Sequence, residues 1–299
     1  MTYKAIKKLI SVVFTAVAIP VLIWYASNHR IYRSFEGEYG LYKYFKNGRV
    51  SIYYKSDFKR EFLEAFTFYT LGGINIYESL NDSAKGRSYY VAEVKNTCGS
   101  GCGKIGLPGI EIQSDKLRKI YRGFIRTKKF DSLIFYELGR NFWLYDDQLT
   151  SSEFGLSNAM RTGFAVFMRN ICIDKLKIDA DSVNNLPYDD YLVDLKEIFY
   201  RYAEDSALSI TDVLIYGKLP ERSSDLEVTA SNFWASLLFF LYEQKGFGDD
   251  WLNRIWREIS KRPIAENETA ILNYFYSACT SATERDLTGL FGDKLKWSK

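Results

Sequence analysis

Phe135-Tyr136-Glu137-Leu138-Gly139-Arg140-Asn141-Phe142-Trp143 reads as a helix, because Leu133, Leu138, Phe142 and Tyr145 around it recur at helical spacing and form one apolar stripe. Tyr136 and Arg140, four residues apart, share a face of that helix, and Glu137 stands one step round the axis. Imidazoles at those two positions would converge on one metal ion, with the glutamate beside the first as general base. Neither residue is histidine. The chain's single histidine, His29, lies far upstream. A Ser-His-Asp or Cys-His nucleophile system therefore has no imidazole to draw on near this helix.

Outward from this segment the pattern changes character on its two sides. Upstream, Val50 to Tyr54, Tyr89 to Val94 and Ile110 to Gln113 are short runs rich in β-branched and tyrosine residues, separated by Gly, Asn and Asp, and read as strands. Asp57 to Tyr69 has helical spacing through Phe62, Ala65, Phe66 and Tyr69. Downstream the pattern is helical almost throughout: Phe164, Phe167, Met168 and Ile171, then Leu192, Leu195, Phe199 and Tyr202, then Trp251, Ile255, Trp256 and Ile259. Phe233 to Tyr242 is apolar nearly all round and fits the central helix of a buried bundle. Expected boundaries are 29–48 for a stalk, 49–150 for a mixed α/β lobe and 151–299 for a helical lobe.

The segment 135–143 resembles the active-site helix of the gluzincin metallopeptidases, particularly the enhancin-like and mucin-degrading branch, in which asparagine and an aromatic follow the second histidine. The likeness spans roughly residues 110 to 245. It implies an α+β, zincin-like fold. It also places Glu137 at the general-base position, Tyr136 and Arg140 at the two histidine positions, and Thr162, in Thr162-Gly163-Phe164-Ala165, at the third-ligand position. A guanidinium stays protonated and repels a metal ion, so this set implies no zinc cofactor and a pseudo-peptidase whose cleft binds a polypeptide, a glycan or a partner protein. Arg140 is expected to pair with Glu137 in place of the metal. Two alternatives stay open: a hydrolase in which Glu137 still acts on water with Tyr136 or Arg140 stabilising the oxyanion, and a structural surface protein. A repurposed metal site from Glu137, Glu153 and Asp146 or Asp147, and a glycosidase pair of Glu137 and Glu153, are the other carboxylate readings.

The N-terminus carries a separate signal. Lys4, Lys7 and Lys8 precede an uncharged run from Leu9 to Ala26, which at about 1.5 Å per residue is just long enough for a bilayer core of roughly 30 Å. Residues 1–28 accordingly read as an uncleaved transmembrane signal anchor that meets the membrane through residues 9–26, with Trp24 and Tyr25 at the interface and the folded domain extracytoplasmic. Cys98 and Cys102 flank a glycine-rich turn able to close a small disulfide loop, whereas Cys172 and Cys279 fall on apolar helix faces and read as buried thiols. The stretch Gly99 to Lys104 is not a phosphate loop: its glycine spacing is short by one, and Ile105 replaces the magnesium-binding hydroxyl. A net charge of +3 from 40 basic and 37 acidic residues provides no field for nucleic acid.

Overall fold

The fold is described from a computed structural model covering residues 17–80, 86–143, 146–149, 155–221, 226–244 and 247–297. A six-stranded mixed sheet is built from β1 (His29–Arg33), β2 (Tyr39–Asn47), β3 (Val50–Tyr54), β4 (Tyr89–Val94), β5 (Gly101–Gly103) and β6 (Gly109–Gln113), in the spatial order β1-β2-β3-β4-β6-β5. β1–β2 and β2–β3 pair antiparallel, β3–β4 and β4–β6 parallel, and the short edge strand β5 runs antiparallel to β6. The parallel β3–β4 step needs a crossover, which α2 (Arg60–Leu80) supplies.

Period-two alternation sorts the sheet's two faces. Val50, Ile52, Val91, Ile110 and Ile112 face α2, α3 (Ser114–Thr127) and α4 (Leu133–Phe142), where they join Phe62, Phe66, Leu117, Phe135 and Leu138 in the main core. The opposite face carries a small cluster of Tyr32, Tyr42, Ala92 and Val94. Residues 29–48, expected as a stalk, are thus two strands of the sheet, tied across it where Tyr32 Oη donates to Glu111 Oε1 at 2.8 Å.

Beyond α4 the chain is helical: α5 (Asp146–Leu149), α6 (Gly155–Leu176), α7 (Tyr188–Glu204), α8 (Ile210–Leu214), α9 (Ala230–Glu243), α10 (Asp249–Ser260), α11 (Glu268–Thr283) and a π-helical turn at Leu290–Lys294. The apolar run at α9 is buried on all sides, from Phe233 through Leu241. α4 and α6 approach closely because Gly139 has no side chain: a Cβ there would lie 2.6 Å from Ala165 Cα. The backbone of α4 is fixed from α2 as well, where Tyr77 Oη donates to Phe135 O at 2.8 Å and its ring stacks on Phe142.

The transmembrane reading is corrected. Among the described residues no helix is long and apolar enough to cross a membrane. The described part of the apolar run is a helix at 17–28 (α1), whose length of about 18 Å falls well short of a bilayer core, and the chain turns directly from it into β1. Residues 1–16, where the rest of that expectation falls, lie outside the described residues. The single-pass membrane localisation rested on that helix and is set aside with it.

Candidate functional site

α4 starts after Ser132, with Asp131 Oδ1 accepting from Leu133 N at 2.9 Å and so meeting one of the donors a helix N-terminus leaves open. The helix presents two different faces to its neighbours. Glu137 and Asn141, one turn apart, face the edge strand β5 and the β5–β6 loop, while Tyr136 and Arg140 face α6.

On the first face, Glu137 is 5 % exposed and its Oε2 accepts from Gly103 N at 2.9 Å. Burial in an apolar surround raises its pKa to about 7; the Gly103 N–H and the nearby Arg140 charge pull the other way without prevailing. Asn141 Nδ2 donates to Leu107 O at 2.8 Å and Gly109 O at 2.7 Å, and Gly106 N donates to Asn141 O. β5 can lie this close only because Gly101 and Gly103 point at the helix: a Cβ on Gly103 would stand 2.2 Å from Glu137 O, and one on Gly101 2.9 Å from Glu137 Oε1. Of the glycine-rich stretch expected to be a turn, Cys98–Ser100 is a bend and Gly101–Gly103 is a strand.

The strand is stapled from behind by the disulfide Cys98–Cys102, whose Cα atoms are 5.5 Å apart; Cys172 and Cys279 are free and buried. Closing so short a loop restricts the unfolded chain by about 2 kcal/mol. The double substitution Cys98→Ser, Cys102→Ser is accordingly expected to cost about that much in denaturant titration, and to speed hydrogen exchange at the Gly103 amide more than at amides of β3 or β4. Equal protection of Gly103 in both proteins would show that the staple does not hold β5 on α4.

On the second face, Arg140 Nη1 donates to Thr162 Oγ1 at 2.7 Å. The positions that the sequence resemblance assigns to the second and third metal ligands thus bring their side chains into direct contact across α4 and α6. The expected ion pair of Arg140 with Glu137 does not form: an i, i+3 spacing permits it, but Glu137 turns to β5 and Arg140 to α6. Two residues that the sequence did not single out complete this face. Arg169, two turns after Thr162 on α6, lies 6.0 Å from the Tyr136 ring, the same distance as Arg140, and donates to Tyr191 Oη on α7. The seven-residue step from Thr162 to Arg169 was the only available signal for that placement.

Tyr, Arg and Thr side chains do not fit a zinc ion, which takes thiolate, imidazole or carboxylate donors. Among the described residues no group of three or more His, Cys, Asp or Glu side chains is placed to hold a metal. Glu153 and the side chains of Asp146 and Asp147, invoked for a repurposed metal site, lie outside the described residues. A cavity of about 590 Å³ opens elsewhere, past the end of α6, lined by Asp174, Asp181, Tyr188 and Asp189 among others; Glu137 and Arg140 take no part in it.

No protein-family model and no curated protein matches this sequence. Solved structures do match in fold. A functionally unknown conserved protein from Bacillus anthracis str. Ames superposes with a TM-score of 0.55 at 10 % identity, over 86 % of this chain and 49 % of that one. A metallopeptidase in complex with Tn antigen gives 0.51 at 11 % identity, over 85 % and 44 %. A metallopeptidase from Bacteroides thetaiotaomicron gives 0.50 at 11 %, over 85 % and 41 %. The chain has a metallopeptidase-like fold and spans less than half the length of these proteins.

Proposed function

We propose that this chain is a zincin-like pseudo-metallopeptidase of the gluzincin type, related to the enhancin-like and mucin-degrading branch, which binds a polypeptide at the remnant of its cleft instead of cleaving it. The observation that carries this reading is the 2.7 Å hydrogen bond from Arg140 to Thr162. A cation and a hydroxyl bonded to each other stand where two metal ligands would have to converge, and a guanidinium neither loses its proton nor coordinates zinc. Polypeptide is favoured as the ligand class because the half-buried residues here are tyrosine and arginine, the types enriched where protein partners anchor.

The test has two arms. The natural protein, purified from zinc-supplemented medium, is expected to carry no stoichiometric zinc and to leave peptide libraries uncut. The variant Tyr136→His, Arg140→His, Thr162→Glu is expected to gain one zinc per chain, measured by elemental analysis. Stoichiometric zinc in the natural protein would overturn the reading, and no gain in the variant would remove the assignment of Thr162 as the third position.

A second reading has one observation behind it. A carboxyl titrating near 7 is poised for general-base work at neutral pH, so a hydrolase using Glu137 is the competing account. Peptide hydrolysis abolished by Glu137→Gln, with folding intact, would establish it. The buried position of Glu137 and its engagement by Gly103 N weigh against a water reaching it.

A further inference from the structure

Four arginines of this fold are paired with a carboxylate. Arg49 is forked onto Glu78 at 2.8 Å, Arg60 meets Glu64, Arg118 meets Asp115 and Arg201 meets Glu197. Arg140 and Arg169 depart from this. Among the described residues neither makes an ion pair; their bonded partners, Thr162 Oγ1 and Tyr191 Oη, are neutral hydroxyls. Both guanidinia lie 6.0 Å from one ring, Tyr136, and all three residues are half-buried. Arg169 Nε is buried with no acceptor. Two positive charges therefore flank the Tyr136 ring at a partly desolvated place with no ion-pair partner among the described residues, and a guanidinium offers five donors, of which each commits one here.

We propose that Arg140 and Arg169 form a carboxylate-binding site that anchors an acidic side chain of the bound polypeptide. The inference rests on the polypeptide-binding reading above and names the chemistry of its ligand. A carboxylate matches the planar fork of a guanidinium and makes charge-assisted bonds with it. Two cations left unpaired in a low-dielectric setting are costly, and an entering anion offsets that cost. Among the described residues no carboxylate fills this role: Glu137 feels the Arg140 charge but is turned to Gly103 N, and Asp174 and Asp189 of the cavity past α6 make no ion pair with Arg169.

The probe is a fluorescein-labelled peptide of repeating Gly-Glu-Gly, compared by anisotropy with its Gly-Gln-Gly counterpart and with a polygalacturonate oligomer. The natural protein is expected to bind the glutamate peptide, more weakly as salt is added, and to ignore the glutamine peptide. Arg140→Gln is expected to weaken binding about tenfold or more, the worth of a charged hydrogen bond, and Arg169→Lys to weaken it less, since the charge stays while the fork is lost. In case a substitution at Arg169 unfolds the protein, phenylglyoxal modification of the natural chain supplies an independent readout: the glutamate peptide, and not the glutamine peptide, should protect Arg140 and Arg169 from the reagent. Equal binding of both peptides, or binding indifferent to Arg140→Gln, would overturn the carboxylate site while leaving polypeptide binding intact. Binding of polygalacturonate alone would overturn the polypeptide as its source, and no binding of any probe would overturn the site altogether. Zinc content and peptide cleavage, measured on the same sample, report separately on the pseudo-peptidase reading.

Discussion

Gly103→Ala is expected to destabilise the protein by about 3 to 5 kcal/mol and to lower Tm by on the order of 10 °C, for two physical reasons that add. The new Cβ would stand 2.2 Å from Glu137 O and 2.3 Å from Asn141 Oδ1. The first is helix backbone and cannot swing aside, so β5 itself must back away from α4. Overpacking of this kind costs about 1–3 kcal/mol and sometimes more. Retreat of the strand also withdraws Gly103 N from Glu137 Oε2, leaving a buried carboxylate without its donor, a loss of about 1–3 kcal/mol. Gly101→Ala should be milder, since its nearest obstacle is the movable end of the Glu137 side chain at 2.9 Å. Gly155→Ala serves as the control: it lies in α6 with nothing within 4 Å of the added atom, and should be neutral or stabilise by about 0.5–1 kcal/mol. Thermal unfolding of the three variants checks the order. A Gly103→Ala protein as stable as the Gly155→Ala one would mean that β5 does not rest on α4 as described.

The sequence made some of this architecture legible and hid the rest for identifiable reasons. β3 and β4 were readable to the residue, and β6 to within one, because Val50–Tyr54, Tyr89–Val94 and Gly109–Gln113 are runs whose local preference agrees with their place in the sheet. β5 was not readable: three residues, two of them glycine, have no strand preference, and their extended form comes from pairing with β6 and from the face of α4 beside them. β1 and β2 carry a faint sequence signal, since each buries one tyrosine while outward residues such as Ile31 and Tyr39 stay exposed. The apolar run before them reads as membrane-spanning from hydropathy, whereas among the described residues it contributes only the helix at 17–28, too short to cross a bilayer. In the candidate site, the spacing of Tyr136, Glu137 and Arg140 gave the helix and its faces. Which partner each side chain chose was decided by elements far away in sequence, β5 for Glu137 and α6 for Arg140. Contacts of that range leave no local trace, which is why Arg169 and Gly103 surfaced only with the fold.

Stability is expected to fall as pH rises through neutrality, and Glu137→Gln is expected to remove most of that fall. In the folded protein the Glu137 carboxyl titrates near 7 because burial penalises its charged form, against 4.5 for the ordinary group. Between those two values the folded state holds a proton that the unfolded chain has released. Stability therefore decreases with rising pH across that window, and the loss is complete above about 7. At 1.36 kcal/mol per unit the full difference is about 3 kcal/mol, an upper figure because a buried site relaxes when it ionises. Other acids titrate in the same range, so the measurement is the difference between the natural protein and Glu137→Gln, both unfolded in urea at intervals from pH 4.5 to 8.5. Glutamine keeps a carbonyl for Gly103 N and carries no charge to bury, so the variant should match the natural protein near pH 5 and exceed it by up to about 3 kcal/mol at pH 8. The sign matters for function. An enzyme that keeps a carboxylate buried at the expense of its own stability does so for the chemistry the charge performs, and in that case the stabilised variant would have lost a hydrolytic activity that the natural protein possesses. In a pseudo-peptidase the same variant gains stability and gives up nothing measurable in peptide binding. A pH profile identical in both proteins would show instead that Glu137 titrates as an ordinary carboxylate, and that α4 and β5 are not packed tightly enough to exclude water from it.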